Sequence, residues 1–267
     1  MLSLRTYRRR PAGLCLSIKQ RKCELMKIAI PFIISSCIVL GGCATGPNAS
    51  KAEAGYVTQT REMQAAVTPA QALALLKDGN ERFVAGRGVQ RDWPMQVQKT
   101  SGGQFPFAVV LGCIDSRSAA ELIFDQGIGD IFDTRIAGNV VDNDVLGGLE
   151  FATEAGGAKL IVVVGHTSCG AVKEACDQVK LGHFTELLAR IEPAIAKVES
   201  QTGEARSSKN AVFVDKVVEA NVRQSMQVMR EQSPIIKELI EHGKVDLVGA
   251  IYDLQTGRVK FLKDEVR

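Results

Sequence analysis

The chain has 267 residues, 45% of them apolar and 24% charged, enough to bury one substantial hydrophobic core. Its formal net charge of +3 is unevenly spread: residues 1–25 carry seven Lys and Arg against the single acid Glu24, and the remainder carries 26 basic against 29 acidic side chains, a net charge of −3. A mildly acidic body has no concentrated basic face for phosphates, which excludes nucleic acid as a partner.

From Met26 the chain reads Lys27, an apolar run over 28–40, then Leu40-Gly41-Gly42-Cys43. That is the order of a secretory signal, and the run of 13 residues is too short to cross a bilayer as a helix. The Leu-Gly-Gly-Cys ending resembles a bacterial lipoprotein box. It implies cleavage before Cys43, lipid on the Cys43 sulfur, and an exported, periplasmic protein lipid-anchored to a membrane surface. Residues 1–25 then read as a mis-assigned upstream extension ahead of a start at Met26, and 26–43 as the lipoprotein signal peptide. Residues 44–66, small and polar with no apolar period, read as a flexible tether, and 67–267 as the folded domain.

Thr68-Pro69-Ala70-Gln71 opens an amphipathic run, with Thr68 suited to cap a helix and Pro69 to its first position, so a helix is predicted over 69–85. Phe107-Ala108-Val109-Val110-Leu111 and Leu160-Ile161-Val162-Val163-Val164 are short, uninterrupted and rich in β-branched residues, as expected of parallel strands buried on both faces. Helical periods follow over 119–124, 143–155, 171–180, 184–199 and 211–230. Segments 246–253 and 259–262 bracket Gln255-Thr256-Gly257 as a hairpin. The alternation predicts an α/β fold with a mostly parallel central β-sheet flanked by helices.

Both apolar strands run into reactive residues: Gly112-Cys113-Ile114-Asp115-Ser116-Arg117 and Gly165-His166-Thr167-Ser168-Cys169-Gly170. Open parallel sheets gather ligands at the carboxyl ends of their strands, so neighbouring strands would bring Cys113, His166 and Cys169 together. Two thiolates and an imidazole suit one zinc ion per chain, and three protein ligands leave a fourth position open, the mark of a catalytic site. Zinc lowers the pKa of bound water to about 7, making hydroxide available near neutral pH. Asp115 can accept a hydrogen bond from that hydroxide, and the planar fork of Arg117 can grip Asp115. The grip matters because a loose carboxylate is itself a zinc ligand. Of seven cysteines, four (Cys15, Cys23, Cys37, Cys43) precede the folded part, so the sparse remainder reads as chemistry rather than a disulfide framework.

Cys113-x-Asp115-Ser116-Arg117 followed by Gly165-His166-x-x-Cys169-Gly170 resembles the β-class carbonic anhydrases. The similarity runs over 68–264 and takes in Glu121-Leu122-Ile123-Phe124-Asp125-Gln126-Gly127, Arg135-Ile136-Ala137-Gly138-Asn139 and Ile251-Tyr252-Asp253-Leu254-Gln255-Thr256-Gly257. The resemblance implies zinc-dependent reversible hydration of carbon dioxide to bicarbonate and a proton by a zinc-bound hydroxide. It makes Cys113, His166 and Cys169 the metal ligands and Asp115 with Arg117 the catalytic dyad. It puts Gln104 and the Gly170 amide next to the substrate, with Phe132 lining the pocket and Phe151 where a tyrosine is common. It also implies a homodimer or homotetramer in which the helix over 69–85 packs across the partner. The subgroup with a second bicarbonate site carries Trp three residues before the first ligand and Val five after it. Here Val110 and Ser118 stand there, which together with Gln104 implies the constitutively open arrangement rather than the switchable one and leaves open whether Asp115 binds zinc at low pH.

Cys176 reads as a packed thiol, and His183 and His242 as solvent-facing. The glycines around Gly127, Gly129 and Gly147-Gly148 read as turn and close-packing positions, since no Gly-x-Gly-x-x-Gly follows a strand. Two other functions fit parts of the pattern. One is a carbon disulfide or carbonyl sulfide hydrolase on the same scaffold; the other is a non-enzymatic envelope zinc-binding protein, which would have no use for Asp115 and Arg117.

Overall fold

The computed structural model describes residues 57–199 and 204–262. The signal, the upstream extension and Cys43 lie outside the described residues. Five strands form one sheet in the order β2-β1-β3-β4-β5: β1 (Ala108–Gly112), β2 (Ile131–Arg135), β3 (Leu160–His166), β4 (Asp246–Tyr252) and β5 (Val259–Phe261). The first four are parallel, and β5 returns antiparallel on β4 through the expected hairpin.

The apolar runs are continuous because both faces of the sheet are covered. Val109, Leu111, Ile161 and Val163 face one layer with Leu149, Met226, Met229 and Ile236. Ala108, Val110, Leu160, Val162 and Val164 face the other with Leu76, Phe107 and Phe124. Each large apolar side chain so buried contributes roughly 2 kcal/mol.

Helices fill both layers. α1 (Arg61–Ala66), α2 (Pro69–Val84) and α3 (Trp93–Thr100) precede β1; α4 (Ala120–Ile123) links β1 to β2; and α5 (Asn143–Glu150) precedes β3, running into a π-turn over Phe151–Ala155. α6 (Gly170–Cys176), α7 (Phe184–Ala189), α8 (Glu192–Lys197), α9 (Ala211–Gln232) and α10 (Pro234–Glu241) separate β3 from β4. Among the described residues no helix is long and apolar enough to cross a membrane.

α2 forms as expected. The Thr68 hydroxyl accepts from the Gln71 amide at 3.3 Å while the Gln71 side chain accepts from the Thr68 amide at 2.9 Å. Asn80 then ties the helix to α4 and the hairpin, donating to Ile123 O and Gly257 O at 2.9 Å each. One helical position must be glycine: a Cβ on Gly79 would sit 1.8 Å from Phe124 O.

Four expectations change. Residues 61–66, expected to belong to a tether, are instead helix α1 folded onto the body: buried Gln64 donates to Pro106 O at 2.7 Å and Gly156 O at 2.8 Å. Those long-range bonds, not an apolar period, hold it. Gln64→Leu is expected to lower the unfolding free energy by about 2 kcal/mol in urea titration, since two carbonyls lose their donor. Edge strand β2 has no apolar signature in the sequence, because only one of its five residues is buried and Asp133 and Thr134 break the apolar run. The segment over 184–199 is two helices, α8 restarting at Glu192 with Pro193 in its first turn. Finally, α3 and α10 are additional; Asp92 and Ser233 cap them, and each has Pro in its first turn.

Candidate metal centre

β1 lies between β2 and β3, so the chain leaves β1 toward one side of the sheet and returns from β2 to the other. The crevice at such a switch point opens at the carboxyl ends of the strands, where β1 runs into Cys113 and β3 ends on His166. Cys169 follows three residues later as the N-cap of α6. All three side chains are buried, and their ligand atoms lie within 4.8 Å of one another. The Cys113 and Cys169 sulfurs are 4.0 Å apart as free thiols.

The donor set fits zinc. Two sulfurs each about 2.3 Å from a tetrahedral ion would be about 3.8 Å apart, close to the spacing found. His166 Nδ1 faces Thr167 O at 3.0 Å, which fixes the ring and turns Nε2 inward. Among the described residues buried Nε2 has no hydrogen-bond partner, and its lone pair is one that a cation would satisfy. Ionisation of the thiols is also prepared. A hydrogen bond from the Cys169 thiol pulls the Cys113 pKa well down, helped by His166 and by the Gly138 amide, 3.3 Å from the sulfur. The same bond, with burial, pushes Cys169 up, as two neighbouring thiols sharing one negative charge must behave. Gly138 reaches its place with φ at 68°, a left-handed conformation suited to glycine.

Asp115 and Arg117 meet as expected. Arg117 Nε and Nη2 donate to Asp115 Oδ1 and Oδ2 at 2.9 and 2.7 Å, and the Arg117 amide adds a third bond at 3.0 Å. Hydrogen bonding from Arg117 holds the carboxyl well below the usual range, so it is ionised at neutral pH. Asp115 Oδ2 lies 3.9 Å from His166 Nε2, at the edge of the cluster. The Gly170 amide, at the first turn of α6, has no intrahelical acceptor and adjoins Cys169.

The remaining pocket residues are not brought to this cluster within one chain. Phe132 pairs with Val109, four residues short of Cys113, which is roughly 13 Å along the strand. Gln104 precedes β1 and is exposed, at the opposite end of the sheet. Phe151 is 57% exposed and packs edge-on against Phe132 with ring centroids 6.1 Å apart. The strand that carries a sequence motif also separates its two ends in space. Cys176 is a buried free thiol, its pKa pushed up to about 11 by burial. Ser118 is buried, with its hydroxyl 3.0 Å from Asp115 O. Arg135, quoted in the sequence motif without a role, touches the same loop: its Nε donates to Cys113 O at 2.8 Å and its Nη2 to Asp115 O at 2.5 Å.

Fold and site together define an α/β metalloprotein with a three-ligand Cys-His-Cys centre and an adjacent clamped carboxylate. The carbonic anhydrase family model matches residues 108–259. Carbonic anhydrase 2 of Mycobacterium tuberculosis is 38% identical over 204 residues, covering 74% of this chain and 94% of its own length. The carbonic anhydrase of Mycolicibacterium smegmatis is 39% identical, covering 72% and 92%. Among solved structures, a Coccomyxa β-carbonic anhydrase in complex with acetazolamide superposes with a TM-score of 0.55 at 28% identity, covering 62% of this chain and 75% of that one. A tetrameric β-carbonic anhydrase of Sordaria macrospora shares the fold, with a TM-score of 0.55 at 24% identity and coverage of 63% and 86%. This chain belongs to the β-class carbonic anhydrase family.

Proposed function

We infer that this protein catalyses CO2 + H2O ⇌ HCO3− + H+ with one zinc ion per chain held by Cys113, His166 and Cys169. The observation that carries this is the convergence of the three buried ligands with an unpartnered His166 Nε2, beside a carboxylate that Arg117 keeps ionised. When bound, zinc supplies the Lewis acidity that makes water a nucleophile near neutral pH. Asp115 accepts a hydrogen bond from the attacking water and so aims its lone pair at the carbon. Arg117 keeps that carboxylate from turning onto the ligands, and the Gly170 amide donates to an oxygen of the substrate. Burial of the three ligands excludes competing solvent.

A second copy of the chain completes the pocket in this reading. Gln104, Phe132 and Phe151 belong beside the substrate by resemblance, yet one chain holds Phe132 and Gln104 away from its own ligands, and exposed Phe151 packs on Phe132. A dimer or tetramer that brings one protomer's phenylalanines to its partner's crevice reconciles the two. Export and lipid anchoring at Cys43 complete the reading, supported by the run over 28–40 and the Leu-Gly-Gly-Cys ending. Mass spectrometry of the mature amino terminus is expected to find a diacylated Cys43; an unmodified Met1 or Met26 would defeat the anchor.

To separate the reaction from its nearest rival, the purified zinc-loaded full chain is assayed for carbon dioxide hydration by stopped flow and for carbon disulfide and carbonyl sulfide hydrolysis by sulfide release. Fast hydration with negligible sulfide is expected. The converse would move the enzyme to the sulfur substrates.

A further inference from the structure

Past the last β1–β2 pair, Gly112 with Arg135, the backbone of Cys113–Asp115 has no neighbouring strand to bond. Its carbonyls need other donors, because a buried C=O left unpaired is costly. The Arg135 guanidinium supplies them, one edge to Cys113 O and another nitrogen to Asp115 O. Ser118 backs the second carbonyl through its amide at 3.1 Å and hydroxyl at 3.0 Å, but reaches Cys113 O only at 3.5 Å. Among the described residues Arg135 is therefore the one close side-chain donor to the carbonyl of Cys113. It also spans from that carbonyl to Asp115.

Resting on the zinc reading above, we propose that Arg135 is a positioning residue that braces the Cys113–Asp115 turn and keeps the Asp115 carboxylate off the metal. Asp115 is held at both ends, its carboxylate by Arg117 and its carbonyl by Arg135. Arg117 alone does not suffice for this, because its side chain is 58% exposed and its grip competes with water. The distance to be guarded is short: Asp115 Oδ2 is already 3.9 Å from the His166 nitrogen that faces the metal. If the backbone beneath Asp115 relaxes, its carboxylate can take the fourth ligand position, and the open site closes. The planar fork matters, since a lysine ammonium at the same place would reach one carbonyl and not both.

The test uses the full chain with cobalt(II) in place of zinc, and titrates azide against the cobalt visible absorption. Wild type is expected to bind one cobalt and to shift its spectrum with azide; failure at that stage would overturn the metal reading itself. In Arg135→Gln the azide affinity is expected to fall about tenfold or more, the size usual for loss of a residue supporting a metal ligand. Removing the carboxylate in the same background, as Asp115→Ala with Arg135→Gln, is expected to restore azide binding to the level of Asp115→Ala alone. A purely structural role would give no such restoration. Azide affinity in Arg135→Gln equal to wild type, or a loss of the same size with and without Asp115, would overturn the proposal. Arg135→Lys, with a gentler effect on folding, should fall between Arg135→Gln and wild type.

Discussion

Cys169→Ser is expected to purify without zinc and to hydrate carbon dioxide at the uncatalysed rate. The sulfur it removes belongs to one of the three proposed protein ligands, and serine offers a hydroxyl that does not ionise near neutral pH and is a harder donor than thiolate. The substitution leaves the fold intact for an identifiable reason. Cys169 is the N-cap of α6 with no side-chain capping bond, and serine is a favoured residue there. Loss of metal without loss of helix, read by metal analysis and circular dichroism on the same sample, isolates the ligand role. One equivalent of zinc with normal turnover would remove Cys169 from the centre.

Asp115→Asn is expected to do the opposite, retaining one zinc while lowering kcat/KM by on the order of a hundredfold or more. Asparagine keeps the shape and one acceptor for Arg117 but loses the charge that aims the attacking water. Arg117 is half in solvent, so its unpaired guanidinium is hydrated and folding is little affected. Because Arg117 keeps the native carboxyl ionised well below neutrality, the deficit should be of similar size across the neutral range rather than appear only in base. Full activity in this variant would leave the catalytic dyad without a role.

How much of this could be read from the sequence depends on whether the information is local. β1 and β3 are legible because burial on both faces removes polar residues, and each strand delivers a proposed ligand at or just past its end. α2 is legible from Thr68, Pro69 and Gln71, whose capping bonds are made within four residues. β2 is not, since an edge strand tolerates Asp133 and Thr134. Nor is α1, which Gln64 holds through bonds to residues 42 and 92 positions away. At the site, Cys113, Asp115, Arg117, His166 and Cys169 converge as their spacing on two adjacent strands requires. Gln104 and Phe132 show the limit: nearness in a motif carries no statement of which end of a strand a residue occupies. Arg135 escaped because it acts on backbone carbonyls, which have no residue identity to be recognised.

In the proposed mechanism the Cys113–His166–Cys169 centre carries the reaction through its metal. Stopped-flow hydration of carbon dioxide by the full chain, measured as purified, after dipicolinate has removed the zinc, and after one equivalent of zinc is returned, tests it most directly. Activity, its loss to the uncatalysed rate, and its recovery are expected in turn. Undiminished hydration by metal-free protein would contradict it.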